Sequence, residues 1–504
     1  MTEQTLGRLA EESWSRFADH DAMYYEGVWH RSHELAERAR RMCGGFVAAG
    51  VRPGDRVAVM MANSPEVPVL YQALWAAGAV VTPVVFLVGA EELRHILLDS
   101  GAVAVVTSPE LEATVRAAGV DIPIHVDTAE LERSAGRGPV ARDPGDLAAL
   151  MYTGGTTGRA KGVMLSHRGL WQVGKAVWDM SHQEGKNRLI VPVPLSHSYG
   201  LIVTIAWMHA TEPQHAVLMR WFDPGQFLKL AAGQRVHYGT VVPAMLQMLL
   251  AEPLESHPLP ELSHLTCGAA PLGRSLLEEF ERRLPGVQIL EGYGLTETCA
   301  VTTFNPPGRR RVGSVGLPLP GYSIVVRDGD GEEVEAGEVG EICVAGESLM
   351  LGYWGEHEPD PEGTTLVDGE LRTGDIGCVD DDGYLHVVDR KKDLIIRGGF
   401  NVFPRDVEYA LDQHPDVARS CVVGRPDPRH GEEVVAFVQL EPGGTADAEE
   451  LTEWARDRVG RVKYPREIRF VDDIPVTSVL KLDRKAVRAR LQPADHVAGG
   501  VRGP

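Results

Sequence analysis

The chain has 504 residues, which is too long for a single hydrophobic core and predicts two or more domains. Its composition, with 43% hydrophobic, 24% charged and 6% aromatic residues, is that of an ordinary globular protein. The net charge of -21 argues against a nucleic-acid partner, because no domain-sized basic surface is available to release counterions from a phosphate backbone. A charge of this size is most simply explained by solubility.

The amino-terminal segment and the cysteines indicate a cytoplasmic protein. Residues 1–17 are amphipathic and acidic, and they lack the basic stretch and apolar run of a signal peptide. No stretch reaches 18 apolar residues, so we expect no membrane span. The six cysteines are scattered without a CxxC pair, which is typical of reduced, buried thiols. We therefore expect a soluble cytoplasmic protein without a structural metal.

Strand and helix patterns alternate through about the first 305 residues. Arg56–Met61 and Ala79–Val85 are apolar, strand-like runs, and Pro65–Ala77 between them has helical spacing. The same alternation continues through further strand-like runs at Val103–Thr107, Pro123–Val126, Leu189–Pro194, Ala216–Met219, Val236–Val242 and Val287–Glu291. This pattern predicts an α/β fold with doubly wound sheets of parallel strands.

The pattern changes after about Gly313. Short alternating runs separated by Gly/Asp turns predict a small antiparallel sheet or distorted barrel; they are Gly321–Arg327, Gly340–Ala345 and Tyr384–Val388. Past Asp389 the pattern is mixed, with helices predicted at Pro404–Gln413 and Asp447–Val459 and strands at Arg419–Val423 and Val434–Leu440. The last part of the chain is therefore expected to be α+β.

A loop rich in Gly and Thr is the clearest functional signal. Residues 152–162 read YTGGTTGRAKG and lie between two strand-like runs, Leu147–Met151 and Val163–Leu165. The glycines let backbone N–H groups face an anion, the Thr hydroxyls add donors, and Lys161 adds positive charge. In a Walker loop the lysine follows Gly directly, whereas Lys161 lies three residues after Gly158. A phosphate-binding loop of another kind is favoured over a flexible surface hairpin.

This loop resembles the phosphate-binding signature of the adenylate-forming superfamily, which includes acyl- and aryl-CoA ligases, peptide-synthetase adenylation domains and luciferases. Further family motifs follow in order: EGYGLTE at 291–297, LRTGD at 371–375, DRKKD at 389–393 and GFNVFP at 399–404. The resemblance spans nearly the whole chain and is closest to aryl- or fatty-acyl-CoA ligases. It implies a large AMP-binding domain at 1–389, built of doubly wound sheets and a small distorted barrel. A small mobile α+β domain at 390–504 would follow, with a hinge at about 390–393.

The resemblance implies a nucleotide site made of several motifs. Its phosphate-binding residues would be Thr153, Gly154, Gly155, Thr156, Thr157, Gly158 and Lys161. Its adenine-flanking residues would be Gly268, Ala269, Ala270, Pro271, Glu291, Gly292, Tyr293 and Gly294. Thr296 would bond the α-phosphate, and Glu297 and Thr157 would be oxygen ligands of Mg²⁺. Asp375 would accept from both ribose hydroxyls with Arg390 nearby, although a turn aspartate is the simpler alternative.

The resemblance also implies a hinge and a second lysine. Lys392 falls at the hinge position, and Gly398 and Gly399 would line a tunnel for a thiol or form a plain turn. Lys481 would bridge the carboxylate and the α-phosphate during adenylation. The family pattern has Gly directly before this lysine and a basic residue near the start of the motif. This chain has Leu480 and Val476 there, and these two departures put the reach of Lys481 in question.

The acid pocket is expected around residues 192–200, PVPLSHSYG, which resemble the segment where aryl- and fatty-acyl-CoA ligases carry an aromatic–His pair. His197 would close over the carboxylate, with a core histidine as the alternative, and Ser196 replaces the aromatic residue. Further pocket residues would be Tyr238, Gly239, Gly268 and Gly292. No Arg for a second carboxylate and no Asp for an α-amino group is evident. The expected acid is therefore a monocarboxylate with an apolar body, either aryl or medium-chain aliphatic.

Three functions are compatible with these motifs. The first is an enzyme that uses ATP and Mg²⁺ to form an acyl-AMP and then transfers the acyl group to CoA. The second keeps adenylation but delivers the acyl group to the phosphopantetheine of a separate carrier protein, or to an amine or nitrite. The third is a non-catalytic homologue that binds ATP or acyl-AMP, for which Leu480 and Val476 are the only support. The expected partners are small molecules, without nucleic acid or membrane, and the chain would be a monomer or homodimer.

Overall fold

The computed structural model describes residues 4–153, 160–355, 365–476 and 482–491. The chain divides into two compact units. The large unit comprises the chain up to Thr373 together with Cys378–His386, and the small unit comprises Gly374–Gly377 and the chain from Val387 onward.

The helices and strands follow the alternation that the sequence predicts. In chain order the helices are α1 (Leu6–Ser15), α2 (Ser32–Ala48), α3 (Glu66–Ala76), α4 (Ala90–Ser100), α5 (Glu112–Ala117), α6 (His167–Ser181), α7 (Ser198–Met208), α8 (Pro224–Gly233), α9 (Pro243–Leu250), α10 (Arg274–Arg283), α11 (Pro404–Leu411), α12 (Ala448–Lys463) and α13 (Arg484–Ala489). The strands are β1 (Asp21–Tyr25), β2 (Val28–Arg31), β3 (Arg56–Met60), β4 (Val80–Pro83), β5 (Ala104–Thr107), β6 (Ile124–Val126), β7 (Leu147–Thr153), β8 (Lys161–Ser166), β9 (Arg188–Val191), β10 (His215–Leu218), β11 (Tyr238–Val241), β12 (His264–Cys267), β13 (Gln288–Tyr293), β14 (Thr303–Phe304), β15 (Leu317–Pro318), β16 (Tyr322–Arg327), β17 (Gly340–Gly346), β18 (Gly352–Tyr353), β19 (Thr365–Val367), β20 (Glu370–Val379), β21 (Leu385–Arg390), β22 (Ile395–Arg397), β23 (Phe400–Val402), β24 (Val417–Asp427), β25 (Gly431–Leu440) and β26 (Glu467–Phe470).

The large unit contains a nine-stranded sheet of order β15-β14-β13-β12-β11-β9-β10-β1-β2. Its central strands, from β13 to β1, run parallel, and β2, β14 and β15 are antiparallel at the edges. Strand β9 shows why the sequence predicts this arrangement, because Leu189, Ile190 and Val191 are all buried. Parallel strands need cover on both faces and are therefore apolar along their length.

A seven-stranded sheet, of order β18-β8-β7-β4-β3-β5-β6, forms the second layer of the large unit. Strands β7, β4, β3, β5 and β6 run parallel. Strand β8 is antiparallel to β7, and β18 is antiparallel to β8. The hairpin of β7 and β8 flanks residues 154–159, which confirms that the Gly/Thr-rich loop connects two strands.

The third sheet of the chain has the order β16-β17-β20-β19, with β21 paired to β20. It confirms the small antiparallel sheet predicted after Gly313. Strand β18, which the sequence did not predict, lies outside this sheet and pairs with β8 in the seven-stranded sheet. A strand of two residues is too short to show a hydrophobic pattern, so sequence periodicity cannot predict which sheet it joins.

The small unit is α+β, as the sequence predicts. Its sheet has the order β23-β22-β25-β24, with β26 parallel to β25. One core cluster joins this sheet to α11 and α12 and includes Ile395, Val407, Leu411, Val422 and Leu451. Among the helices in the described part of the chain, none has both the length and the apolar character that a bilayer crossing requires.

Candidate active site

Strands β7 and β8 position the two ends of the predicted phosphate loop. Thr153 pairs with Lys161 in the antiparallel ladder, so both residues lie at the mouth of the hairpin. The Nζ atom of Lys161 lies 5.5 Å from the ring centroid of Tyr353, within the range of a cation–π contact. The remaining loop residues of the prediction, Gly154, Gly155, Thr156, Thr157 and Gly158, lie outside the described residues.

Glu297 occupies a 3₁₀ turn, Thr296–Thr298, that follows β13. Its carboxylate is buried, and Oε1 accepts a hydrogen bond of 2.8 Å from the Tyr353 hydroxyl. Gly294 allows the turn to close, because a Cβ atom at this position would lie 2.2 Å from the Ala300 carbonyl oxygen. A buried carboxylate is a hard oxygen donor, so Glu297 fits a Mg²⁺ ion, and the other predicted ligand, Thr157, lies outside the described residues.

The predicted adenine-flanking residues leave two neighbouring parallel strands. Cys267 at the end of β12 pairs with Glu291 in β13, so Gly268–Pro271 and Gly292–Gly294 emerge at the same carboxyl edge of the sheet. Ligands bind at this edge in open α/β sheets. A Cβ atom on Gly268 would lie 3.1 Å from the Gly292 carbonyl oxygen, which explains the small residue there.

Backbone strain marks the same edge. Ala269 has φ +67°, a left-handed conformation that costs a residue with a side chain roughly 1 kcal/mol. Nearby, burial raises the pKa of Glu291 to about 7, against the opposing effect of Arg310. Strain and a perturbed carboxyl group together are characteristic of functional sites.

His197 caps the helix that leads into the predicted acid pocket. Its Nδ1 accepts a hydrogen bond of 3.2 Å from the backbone N–H of Tyr199, at the amino terminus of α7. Accepting at Nδ1 places the ring proton on Nε2. The neighbouring Ser196 hydroxyl is buried and has no hydrogen-bond partner among the described residues.

Tyr199, two residues after His197, makes a tertiary contact that the sequence did not indicate. Its hydroxyl lies 2.8 Å from Thr266 Oγ1 and donates to the Thr266 carbonyl at 3.0 Å, so α7 contacts strand β12. Thr266 is the register partner of Thr240 in β11, and Tyr238 is the partner of His264. Residues two apart on a strand share a face, so all four side chains belong to the face that Tyr199 contacts. We call Tyr199, Tyr238, Thr240, His264 and Thr266 the polar wall.

Two polar atoms of this wall are buried without a partner. Thr240 Oγ1 and His264 Nε2 make no hydrogen bond within the described part of the chain. The Tyr238 ring stacks on His264 at 5.5 Å, and its hydroxyl donates to Gln214 Oε1 at 3.0 Å. Burial lowers the pKa of His264 to about 4, so this imidazole is neutral at physiological pH.

Gly239 lies on the opposite face of β11. A Cβ atom at this position would lie 2.7 Å from Ile190 Cγ2 and 2.9 Å from Leu265 Cδ2. Its small size is therefore explained by packing between β9 and β12.

Three predicted site residues of the large unit, Lys161, Glu297 and Thr296, belong to one line of contacts. Lys161 contacts the Tyr353 ring, the Tyr353 hydroxyl bonds Glu297, and the adjacent Thr296 hydroxyl donates to Ser198 Oγ at 3.4 Å. Ser198 follows His197 at the start of α7. The residues predicted to bind phosphate and Mg²⁺ are thus joined to the start of α7 by contacts within the large unit.

The small unit holds the remaining predicted residues that the structure describes. Asp375 is buried, and its Oδ1 lies 3.1 Å from Arg390 Nε. Gly398 and Gly399 have φ +59° and +82° and form the two-residue turn of the β22–β23 hairpin, where Arg397 pairs with Phe400. Two positive φ angles are what such a hairpin turn requires, so the turn is confirmed and a tunnel stays a prediction.

The hinge and the second lysine are described to different extents. Lys392 lies in a 3₁₀ turn, Lys391–Asp393, and its carbonyl oxygen accepts from Arg488 Nη2 at 3.3 Å. Lys481 and Leu480 lie outside the described residues. The ends of their segment are joined, because Val476 and Leu482 form an antiparallel bridge and the Asp483 N–H donates to the Pro475 carbonyl at 2.9 Å.

The fold and this site define a class of two-unit α/β proteins with a nucleotide site at the edge of parallel sheets. Family models match the chain at residues 10–354 (AMP-binding enzyme) and 406–481 (AMP-binding enzyme C-terminal domain). The chain belongs to the AMP-binding enzyme family.

Individual relatives agree with this assignment. The chain is 38% identical to a feruloyl-CoA synthase of Amycolatopsis sp, over 91% of this chain and 93% of the relative. It is 31% identical to a long-chain-fatty-acid–CoA ligase of Bacillus subtilis (strain 168), over 98% and 96%. The crystal structure of ATP-bound MatB from Rhodopseudomonas palustris matches with a TM-score of 0.87 and 31% identity, over 96% of this chain and 99% of that one.

Proposed function

We propose that the chain activates a carboxylic acid as its acyl-adenylate and transfers the acyl group to CoA, as an AMP-forming acid–thiol ligase. The observation that carries this proposal is the line of contacts from Lys161 through Tyr353 and Glu297 to Thr296 and the start of α7. It joins residues suited to phosphates, to a divalent cation and to a carboxylate in one unit.

In the first half-reaction a carboxylate oxygen of the acid attacks the α-phosphorus of ATP, and pyrophosphate leaves. Lys161 and the loop after Thr153 hold the triphosphate, and Thr296 donates to the α-phosphate. Glu297, with Thr157, would hold Mg²⁺, and the ion would neutralise phosphate charge when bound. We assign His197 to the carboxylate through its Nε2–H, and Lys481 neutralises the charge that develops between the carboxylate and the α-phosphate.

In the second half-reaction the CoA thiol attacks the acyl carbonyl carbon, and AMP leaves. The small unit presents the turn at Gly398 and Gly399 to the thiol after a rotation at the hinge near Lys392. Asp375 holds the ribose, and Arg390 orients the Asp375 carboxylate through the ion pair between them.

The acid is proposed to be an aromatic monocarboxylate with a hydrogen-bonding group on its ring. We place the ring of the acid against the polar wall, where Thr240 Oγ1 and His264 Nε2 are buried without a partner among the described residues. An aliphatic chain placed against this wall would leave both atoms unpaired, at a cost of about 1–3 kcal/mol each. The name of the feruloyl-CoA synthase relative is consistent with such an acid.

Acid-dependent ATP–pyrophosphate exchange, followed by addition of CoA, tests the proposal. We expect exchange with aromatic acids and thioester formation once CoA is present. Exchange with no acid in a panel of aromatic, aliphatic and dicarboxylic acids would contradict adenylation. Exchange without a thioester would indicate a carrier protein, an amine or nitrite as the acceptor.

The acid class is tested by ferulate, cinnamate and octanoate in the same assay. We expect kcat/KM for ferulate to exceed that for cinnamate by about tenfold or more, because only ferulate has ring substituents that can pair with the polar wall. Octanoate turned over as well as ferulate would contradict the proposed acid class and leave the ligase chemistry intact.

Replacing Lys481 tests whether this residue acts in adenylation and not in thioester formation. Lys481→Ala should lower the rate of acyl-AMP formation by about two to three orders of magnitude, because a preorganised cation is lost. Thioester formation from preformed acyl-AMP should stay near the wild-type rate. An equal loss in both half-reactions would contradict the assigned role, and Lys485→Ala in the exposed first turn of α13 is the matched control.

A further inference from the structure

Strand β18 places a tyrosine between two predicted site residues. The segment Met350–Trp354 is fixed at both ends: the Met350 N–H donates to the Glu297 carbonyl at 2.8 Å, and the Trp354 N–H donates to the Gly162 carbonyl at 2.7 Å. Tyr353 pairs with Val163, two residues after Lys161 in β8. Backbone hydrogen bonds therefore set the position of Tyr353 relative to both the phosphate loop and the Glu297 turn.

The Tyr353 side chain contacts the two opposite charges of the site. Its hydroxyl donates to Glu297 Oε1 at 2.8 Å, and its ring has Lys161 Nζ at 5.5 Å from the centroid. A hydrogen bond to an ionised carboxylate is short and strong, and it fixes the direction of the acceptor. The negative face of the ring attracts the Lys161 ammonium group, and this contact does not cancel the positive charge as an ion pair with a carboxylate would.

We propose that Tyr353 is a positioning residue that orients the Glu297 carboxylate for Mg²⁺ and keeps Lys161 from pairing with it. The inference rests on the proposed function and deepens it. With Tyr353 in place, the Glu297 carboxylate is directed at the cation and the Lys161 ammonium group at the triphosphate. Without the tyrosine, the lysine and the glutamate would attract each other directly and each would lose part of its affinity for MgATP.

Two substitutions separate the functions of the hydroxyl and the ring. Tyr353→Phe removes the hydrogen bond to Glu297 and keeps the ring beside Lys161. Groups that orient a metal ligand typically contribute about 10- to 100-fold to metal affinity, so the Mg²⁺ concentration that half-saturates ATP binding should rise by about tenfold. ATP binding in EDTA should stay within about twofold of wild type, because the lysine contact is unchanged. Tyr353→Leu removes both contacts and should weaken ATP binding in EDTA as well.

The measurement is isothermal titration of ATP into the full chain over a series of Mg²⁺ concentrations and in EDTA, without acid. Tyr384→Phe is the matched control, because Tyr384 also donates its hydroxyl to an oxygen (the Arg309 carbonyl, 2.6 Å) and carries a cation, Arg311, 4.4 Å from its ring centroid. Its Mg²⁺ dependence should equal that of wild type. Thermal melts of all variants establish that they are folded.

A double-mutant cycle tests whether Tyr353 acts through Glu297. In a Glu297→Gln background, Tyr353→Phe should no longer change the Mg²⁺ dependence. A folded Tyr353→Phe variant with the wild-type Mg²⁺ dependence would overturn the inference, and so would an equal shift in Tyr384→Phe or an undiminished effect in the Gln background. Wild-type ATP binding that is absent or independent of Mg²⁺ would instead overturn the proposed function, and this inference with it.

Discussion

The buried carboxyl group of Glu291, at the candidate site, makes the stability of the fold depend on pH. It lies in β13 beside Cys267 of β12, and burial raises its pKa from 4.5 to about 7. Between these two pH values the folded chain keeps a proton that the unfolded chain has lost. Stability therefore falls as the pH rises from about 4.5 to 7, and the full penalty applies above pH 7.

Glu291→Gln should remove this penalty. At about pH 4 the variant and wild type should melt at nearly the same temperature, because the wild-type carboxyl group is then mostly protonated in both the folded and the unfolded chain. At pH 8 the variant should be more stable by about 1–3 kcal/mol. Thermal unfolding followed by circular dichroism between about pH 4 and 8 measures this difference. Glu347→Gln, at an exposed glutamate, is the control, and a wild-type pH profile in Glu291→Gln would contradict the prediction.

Residues within a motif could be predicted from the sequence, whereas residues that act across motifs could not. Lys161, Thr296 and Glu297 stand in contiguous, recognisable segments. Tyr353 reaches Glu297 only because β18 pairs with β8, nearly 190 residues earlier in the chain. Tyr199 had a local signal in its place two residues after His197, but its contact with Thr266 depends on the packing of α7 against β12.

At the scale of elements, α13 links the segment that contains Lys481 to the hinge. Arg484 Nη2 lies 2.7 Å from Glu408 of α11, and Arg488 Nη2 lies 3.1 Å from Asp393 of the hinge turn. Glu408 also accepts from the Val422 N–H at 2.7 Å, so α11, α13 and β24 meet at one buried carboxylate. The sequence predicted α11 and β24 from their apolar patterns, but these ionic contacts are tertiary and carry no local pattern.

Arg484→Met should destabilise the small unit, because it leaves Glu408 buried without its cation. Breaking a buried ion pair from one side typically costs about 3–5 kcal/mol. The double variant Arg484→Met, Glu408→Met should recover part of the loss, since apolar replacement of both partners is often close to neutral. Pulse proteolysis in urea reports the stability of the small unit in the full chain. A double variant less stable than Arg484→Met alone would contradict the role given to this pair.

At the scale of the whole molecule, the sequence predicted the kinds of sheet in the fold better than it predicted which strands belong to each sheet. Runs such as Val57–Met60 and Leu189–Val191 are apolar because their strands are covered on both faces, and this signal is visible locally. The order of strands is a property of the folded chain. The hairpin of β1 and β2, near the amino terminus, joins β10 rather than the sheet built from β3 to β8.

The small unit has its own core, and we expect it to fold without the large unit. Its apolar cluster joins the sheet to α11 and α12, and Trp454 of α12 donates its indole N–H to the Ala410 carbonyl at 2.8 Å. Trp454 is the one tryptophan after residue 354, so its fluorescence reports this unit alone in a fragment of residues 387–504.

Urea unfolding of that fragment should be a single cooperative transition, because a domain with its own core unfolds as a unit. Leu451→Ala, which truncates a buried side chain of the cluster, should lower the free energy of unfolding by about 2–4 kcal/mol without changing the slope of the transition. An exposed position on the same helix, Glu453→Ala, should leave the transition unchanged. A gradual, non-cooperative change in Trp454 emission would show that the small unit depends on the large one for its fold. The hinge near Lys392 would then join parts of one domain, and the rotation invoked for the second half-reaction would lose its physical basis.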